Sequence, residues 1–181
     1  NLVGTSKLSP FIKFGQIHVE TIWEECKKIK KKSTGKFLAE IGWREFNHSL
    51  INYFPYMLQG NYSKKFDKFP WVKNKKFLNA WKKGLTGYPI VDAGMRELYS
   101  TGWMHNRVRM IVGSFLVKHL LINWTEGEKH FRNCLLDFNE ANNVSGWQWV
   151  AGCGADAAPY FRIFNPILQG EKFDKEGNYV R

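Results

Sequence analysis

In EIGWREFN, residues 40–47, Glu40, Trp43, Arg44 and Asn47 stand at i, i+3, i+4 and i+7. On a helix these four make one stripe. A solvated stripe seldom carries Trp, and a core stripe seldom carries Glu, Arg and Asn. A wet pocket wall that stacks a planar ligand accommodates all four; an amphipathic surface with one stray Trp is the alternative. LLDFNEANNVSGWQW, ending at Trp149, is denser still. Asp137 follows an apolar helix end. If 142–150 is helical, Asn143 and Trp147 share a face, while Trp149 turns away from Trp147 by about 200°. A strand would put both tryptophans on one face. The Asn-Asn start and the helical surroundings favour helix, which gives the two indoles different neighbours. Plain core filling by both is the alternative.

Two further stretches hold chemistry-bearing side chains. Thr5, Ser6, Lys7, Leu8 and Ser9 precede Pro10. Hydroxyls and a lysine before a helix N-terminus suit either capping or an anion, because the first N–H groups there lack partners. In GWMHNRVRM, residues 102–110, Asn106, Arg107, Arg109 and Met110 open a helix whose remainder is apolar. Arg107 and Arg109 are two apart and point to different sides. That suits two anionic partners, or one partner and an internal carboxylate. His105 reads as structural, and no His, Cys or carboxylate set has metal spacing.

Long 3.6-residue periodicity dominates the chain and must position these groups, giving an all-α expectation with substantial loops. Helices are expected over 10–31, 37–54, 71–83, from Pro89 to near Gly102, and over 104–122. Thr125 with Glu128 reads as a capping box for a helix over 125–136. Residues 55–70 and 151–166 read as loops. The 181 residues suit one domain. The formal charge of +11 and 16% aromatic content point to a polyanionic partner, nucleic acid ahead of membrane. The Lys-rich stretches 27–36 and 73–83 also fit solvated faces. Three scattered cysteines form no disulfide framework, so a reducing compartment is expected, cytoplasmic in a bacterial-type cell and not secreted. No run is long and apolar enough to span a membrane. The start at Asn1 rather than Met suggests an excised piece of a longer protein.

TSKLSP, WREF, TGYPIVDAGMRELYSTGWMHNRVRM, ANNVSGWQW and DAAPYFRIFNPILQGEKFD, in this order, resemble the flavin-binding helical domain of the photolyase/cryptochrome family. The likeness is greatest to class I cyclobutane pyrimidine dimer photolyases and covers nearly the whole chain. The family's α/β antenna domain has no counterpart here, so no antenna chromophore is expected on this segment. The resemblance implies FAD, active when reduced, and damaged DNA as the partner of a monomer. Thr5 to Ser9 match the FAD-phosphate loop. Glu40 matches the carboxylate that contacts the bound dimer, and Trp43 and Trp149 match its two stacking walls. Arg44 and Asn47 belong to the same DNA-facing segment, Arg44 also bordering the cofactor. Asn106 and Arg107 match a DNA- and flavin-adjacent pair, with Met110 beside them. Gln169 matches a further DNA contact. Arg109 and Asp137 match an ion pair beside the isoalloxazine, and Asn143 the side chain facing flavin N5. Trp147, Trp124 and Trp71 match a three-tryptophan chain that reduces the flavin in light.

One position departs from the family pattern. Asn139 stands where a second carboxylate usually follows Asp137, which bears on flavin tuning. The implied activity is light-driven splitting of pyrimidine dimers by an electron from excited reduced FAD. A cryptochrome photoreceptor on the same scaffold is the alternative; plant members have Asp and animal members Cys where Asn143 stands. A flavin-free helical DNA-binding module would explain the charge and the aromatics, but not the ordered TSKLS, Asp137 and Asn143 set.

Overall fold

The structure is a computed structural model that describes residues 4–29 and 32–181. Among the described residues every regular element is helical, as the periodicity predicts. The elements are α1 (Ser9–Lys13), α2 (Val19–Lys28), α3 (Lys32–Tyr53), α4 (Lys75–Lys82), α5 (Pro89–Thr101), α6 (Asn106–Ser114), α7 (Trp124–Cys134), α8 (Glu140–Ala151) and α9 (Pro166–Phe173).

Several boundaries differ from the sequence expectation. The single helix expected over 10–31 is two, because Gly15 takes φ +68°, a conformation that ends α1 at little cost to glycine. Pro10 lies in the first turn of α1, but the N-cap position is Leu8 and no side chain caps it, so Ser9 is not the cap. Helix α3 begins at Lys32, before the expected 37. The span expected as 71–83 is helical only over Lys75–Lys82, where the Asn74 side chain accepts from Phe77 N–H. Residues 55–58 and 64–66, within the expected loop, form short 3₁₀ turns. The helix expected through 122 is α6, continued by one π-helical turn at Phe115–His119. Helix α7 is capped by Asn123, whose side chain accepts from Thr125 N–H at 3.1 Å; the expected Thr125–Glu128 capping box does not form. The periodicity left α9 unread; Asn165 caps it, accepting from Ile167 and Leu168 N–H.

Helix α8 is the hub, packing against α3, α6 and α7. The core gathers Trp81, Met95, Leu98, Ile111, Val112, Leu116, Trp124, Phe131, Val144 and Trp147. Gln148, fully buried between the two tryptophans, is also fully used. Its Oε1 accepts from Tyr62 N–H at 2.8 Å, and its Nε2 donates to the carbonyls of Met57 at 2.9 Å and Gly60 at 3.0 Å. One side chain thereby staples the 57–62 loop to α8, as a buried polar group must if it is not to be costly. Asp92 does the same for the loop before α5, accepting from Thr86 N–H, Thr86 Oγ1 and Gly87 N–H.

Candidate functional site

Helix α8 presents the groups that the sequence singled out on more than one side. Asn143 and Trp147 do share a face, and that face meets α7. Asn143 Nδ2 donates to the Glu128 carboxylate at 3.0 Å and to its carbonyl at 3.3 Å. Trp147, 4% exposed, lies over Gly127 with Phe131 at 5.0 Å and Trp81 at 6.0 Å between ring centroids. Core packing is therefore real for Trp147, whatever else it does. Trp149 turns elsewhere, half-buried, with Phe164 and the Arg162 guanidinium about its ring at 6.3 and 6.0 Å.

Glu128 is the residue that sequence reasoning missed, having been read only as half of a capping box. Buried, it accepts from Asn143 and pairs with Arg132, which also reaches Glu140 at 2.9 Å. This network fixes the Asn143 amide. With Nδ2 committed to Glu128, Oδ1 is the end left to accept. The signal was in the sequence: Glu128 and Arg132 are spaced i, i+4 on one face.

Arg109 and Asp137 form a two-pronged pair. Arg109 Nη2 donates to both carboxylate oxygens at 2.8 and 3.1 Å, and Nε donates to the Met104 carbonyl at 2.8 Å. The Asp137 side chain is 3% exposed, and removing this partner would leave a buried charge uncompensated. Asn139 is the N-cap of α8, its Oδ1 accepting from Asn142 N–H at 3.1 Å, while its Nδ2 meets His48 Nε2 at 3.1 Å. Asn47 Nδ2 donates to Asn142 Oδ1 at 2.9 Å, so α3 and α8 are joined through Asn47 and Asn139, which the sequence had assigned to ligands.

The α3 stripe is open. Glu40 is exposed, Trp43 is 48% exposed with Phe46 at its edge, and Arg44 pairs with neighbouring Glu45. Asn106 is exposed at the start of α6, with Met110 partly buried one turn on. Arg107 lies over Phe173 of α9 at 4.9 Å, which ties it to the protein. Gln169 has a buried Oε1 without a partner. In the first loop, Thr5 Oγ1 is likewise buried and unpartnered; Ser6 Oγ accepts from Leu8 N–H at 3.5 Å; Lys7, at φ +51°, reaches over the Trp103 ring at 5.5 Å. Ser9 stands exposed in α1. Trp124 is buried and its Nε1 donates to Asn61 Oδ1 at 2.9 Å; Trp71 lies against Phe69, ring centroids 4.4 Å apart and tilted by 49°, and lines a cavity of about 230 Å³. The tryptophan in ring contact with Trp147 is Trp81, a residue that the sequence reading did not select.

Buried polar atoms normally have partners. The orphaned Thr5 and Gln169 oxygens therefore suit a ligand. Beside Asn142 and Asn143, Gly146 is exposed, and a Cβ there would meet nothing within 4 Å, leaving one flank of α8 open for a planar group. The residues thus fit a flavin nucleotide, with hydroxyls for phosphate and an amide acceptor for a ring N–H. The larger cleft, about 760 Å³ and lined by Lys82, Arg96, Glu97, His130 and Tyr179, contains none of these groups.

Together, the helical hub, the half-buried ion pair and the open polar flank define a helical nucleotide-cofactor domain. Residues 37–181 match the family model described as the FAD binding domain of DNA photolyase, and the chain belongs to that family. It is 54% identical over 98% of its length to a deoxyribodipyrimidine photo-lyase of Agrobacterium fabrum. A crystal structure of a bacterial class III photolyase from Agrobacterium tumefaciens superposes with TM-score 0.95 and 53% identity, covering 99% of this chain and 38% of that one. An archaeal photolyase from Sulfolobus tokodaii, solved with two FAD molecules, gives TM-score 0.91 at 42% identity over 97% of this chain and 40% of that one. The Agrobacterium tumefaciens structure is that of a class III photolyase, whereas the motifs of this chain resemble class I most. The chain spans 38% of the length of the Agrobacterium fabrum relative.

Proposed function

We propose that this chain is the cofactor- and lesion-binding part of a DNA photolyase that uses reduced FAD to split cyclobutane pyrimidine dimers in light. The observation that carries it is the Asn143 amide, locked by Glu128 with its oxygen left to accept, on the same helix as Trp149. When bound, reduced FAD would lend the dimer an electron in light and take it back once the two cyclobutane bonds have broken, so that splitting involves no net redox change. The protein's part is to bind, orient and shield.

Thr5 Oγ1 and its neighbours Ser6, Lys7, Leu8 and Ser9 hold the phosphates. Asn143 Oδ1 accepts a ring N–H without adding charge. Asp137, neutralised by Arg109, keeps the site's net charge low beside an anionic ring. On the DNA side, exposed Trp43 and half-buried Trp149 receive the flipped dimer between aromatic faces, and a damaged step costs less to unstack. The Glu40 carboxylate accepts from a pyrimidine ring N–H of the flipped dimer. Asn47, Asn106, Arg107, Met110 and Gln169 border the strand, and the lysine surface binds backbone phosphate in a salt-dependent way. Trp147, Trp124 and Trp71 would relay an electron from an external reductant to oxidised flavin.

The full-length protein, purified with reduced FAD, is expected to restore dimer-containing DNA under blue light. Full FAD occupancy without repair would overturn the repair reading and favour a photoreceptor. Trp147→Phe is expected to block photoreduction of oxidised flavin but spare repair by chemically reduced protein. Loss of both would make Trp147 purely structural.

A further inference from the structure

Asn139 satisfies two neighbours with opposite demands. Its Oδ1 accepts from Asn142 N–H at 3.1 Å, and this bond fixes the orientation of the amide. Nδ2 is therefore the atom 3.1 Å from His48 Nε2. An amide NH₂ only donates. His48 Nε2 must then hold a lone pair, and the imidazole proton sits on Nδ1. A protonated His48 would set N–H against N–H. One residue earlier on α3, Asn47 Nδ2 donates to Asn142 Oδ1 at 2.9 Å. Two adjacent side chains of α3 thus hold the first turn of α8, the turn that carries Asn143.

We infer that His48 is a positioning residue: neutral and protonated on Nδ1, it fixes the Asn139 amide and sets the flavin-facing start of α8 against the lesion-facing stripe of α3. The flavin and the lesion rest on the function proposed above; the tautomer and the joint do not. Burial, and then the Arg44 guanidinium on its own helix, push the His48 pKa down, while Glu45 pulls it back up. Arg44 and Glu45 are paired with each other. From α8, His48 meets an uncharged amide, and Glu140 on that helix is tied to Arg132. The joint is neutral on both sides, which accounts for Asn at position 139. A carboxylate there would favour the imidazolium and replace a hydrogen bond by an ion pair.

The test uses the full-length protein with ¹⁵N-labelled histidine. At about pH 7.5 neutral imidazole dominates, and His48 Nε2 is expected to resonate as an unprotonated nitrogen, with a titration midpoint below the ordinary 6.5. Asn139→Asp is expected to raise that midpoint by roughly one pH unit or more, the effect of an opposite charge at contact. His48→Gln keeps an acceptor towards Asn139, and His48→Leu removes it. FAD release, followed by flavin fluorescence, is expected to increase in the wild type as His48 protonates. It stays flat over that range in His48→Gln and is high throughout in His48→Leu. A protonated Nε2 in the neutral wild type, or a midpoint that Asn139→Asp leaves in place, overturns the inference. So does a His48→Gln release profile that follows the wild type. If FAD binds to no variant and not to the wild type, the proposed function fails, while the nitrogen spectra still decide the joint.

Discussion

Gly127→Ala is the sharpest test of how α7 and α8 are held. A Cβ at Gly127 would lie 2.5 Å from Trp147 Cζ3 and 2.6 Å from Cζ2, and closer still to Cη2. The indole has little room to retreat. Phe131 and Trp81 stand edge-on to it, and Gly113 lies against the same ring, its own Cβ position only 3.6 Å from Cζ3. Overpacking of this kind costs about 1–3 kcal/mol, and a rigid ring as the obstacle favours the upper end. Alanine in a helix interior returns about 1 kcal/mol relative to glycine. The net loss is about 2 kcal/mol, a fall in Tm of about 4–8 °C for a domain of this size. Gly146→Ala on α8 is the matched control, since a Cβ there meets nothing within 4 Å. It should gain about 0.5–1 kcal/mol and raise Tm slightly. Both are read by thermal unfolding of the cofactor-free protein followed by circular dichroism. A Gly127→Ala protein melting at or above the wild type would refute the claim that glycine sets the α7–α8 spacing. Titration with FAD completes the comparison: Gly146→Ala should weaken flavin binding despite its greater stability, because its methyl enters the open flank.

Gln148→Leu strands Tyr62 N–H and two carbonyls; at about 1–3 kcal/mol for each unsatisfied buried group, a loss of several kcal/mol is expected, with Tyr62 amide exchange accelerated most. Asp137→Asn leaves Arg109 unmatched. Because Arg109 is partly exposed, the cost should fall below the 3–5 kcal/mol typical of breaking a fully buried pair, at about 2 kcal/mol in urea unfolding. His130 has its pKa pushed down to about 4, mainly by burial and then by Lys82, so folding holds it neutral. The unfolded chain binds that proton first, and stability should fall as pH drops from about 6.5 towards 4. His130→Gln should flatten that part of the pH profile of the urea midpoint; an unchanged slope would remove His130 from the account.

The chain's own order of residues determined a good deal. The 3.6-residue period, Pro89 and Gly102 fixed the helical class and the place of α5, because these signals act within one or two turns. The spacing of Asn143, Trp147 and Trp149 fixed which of them share a face, because helical geometry is local. Only the tertiary structure decided what those faces meet. Asn143 is locked by Glu128, Trp147 rests on Gly127 and Trp81, and Asn139 bonds to His48, 91 residues away in sequence. Such pairings come from α7 and α3 arriving beside α8, and no local periodicity encodes the neighbour. Thr125 shows the same limit at short range: the capping pattern was present, but Asn123 stood two residues earlier and took the N-cap. The residue types on α8 were legible in the sequence; the partners that orient them came from the packing of helices around it.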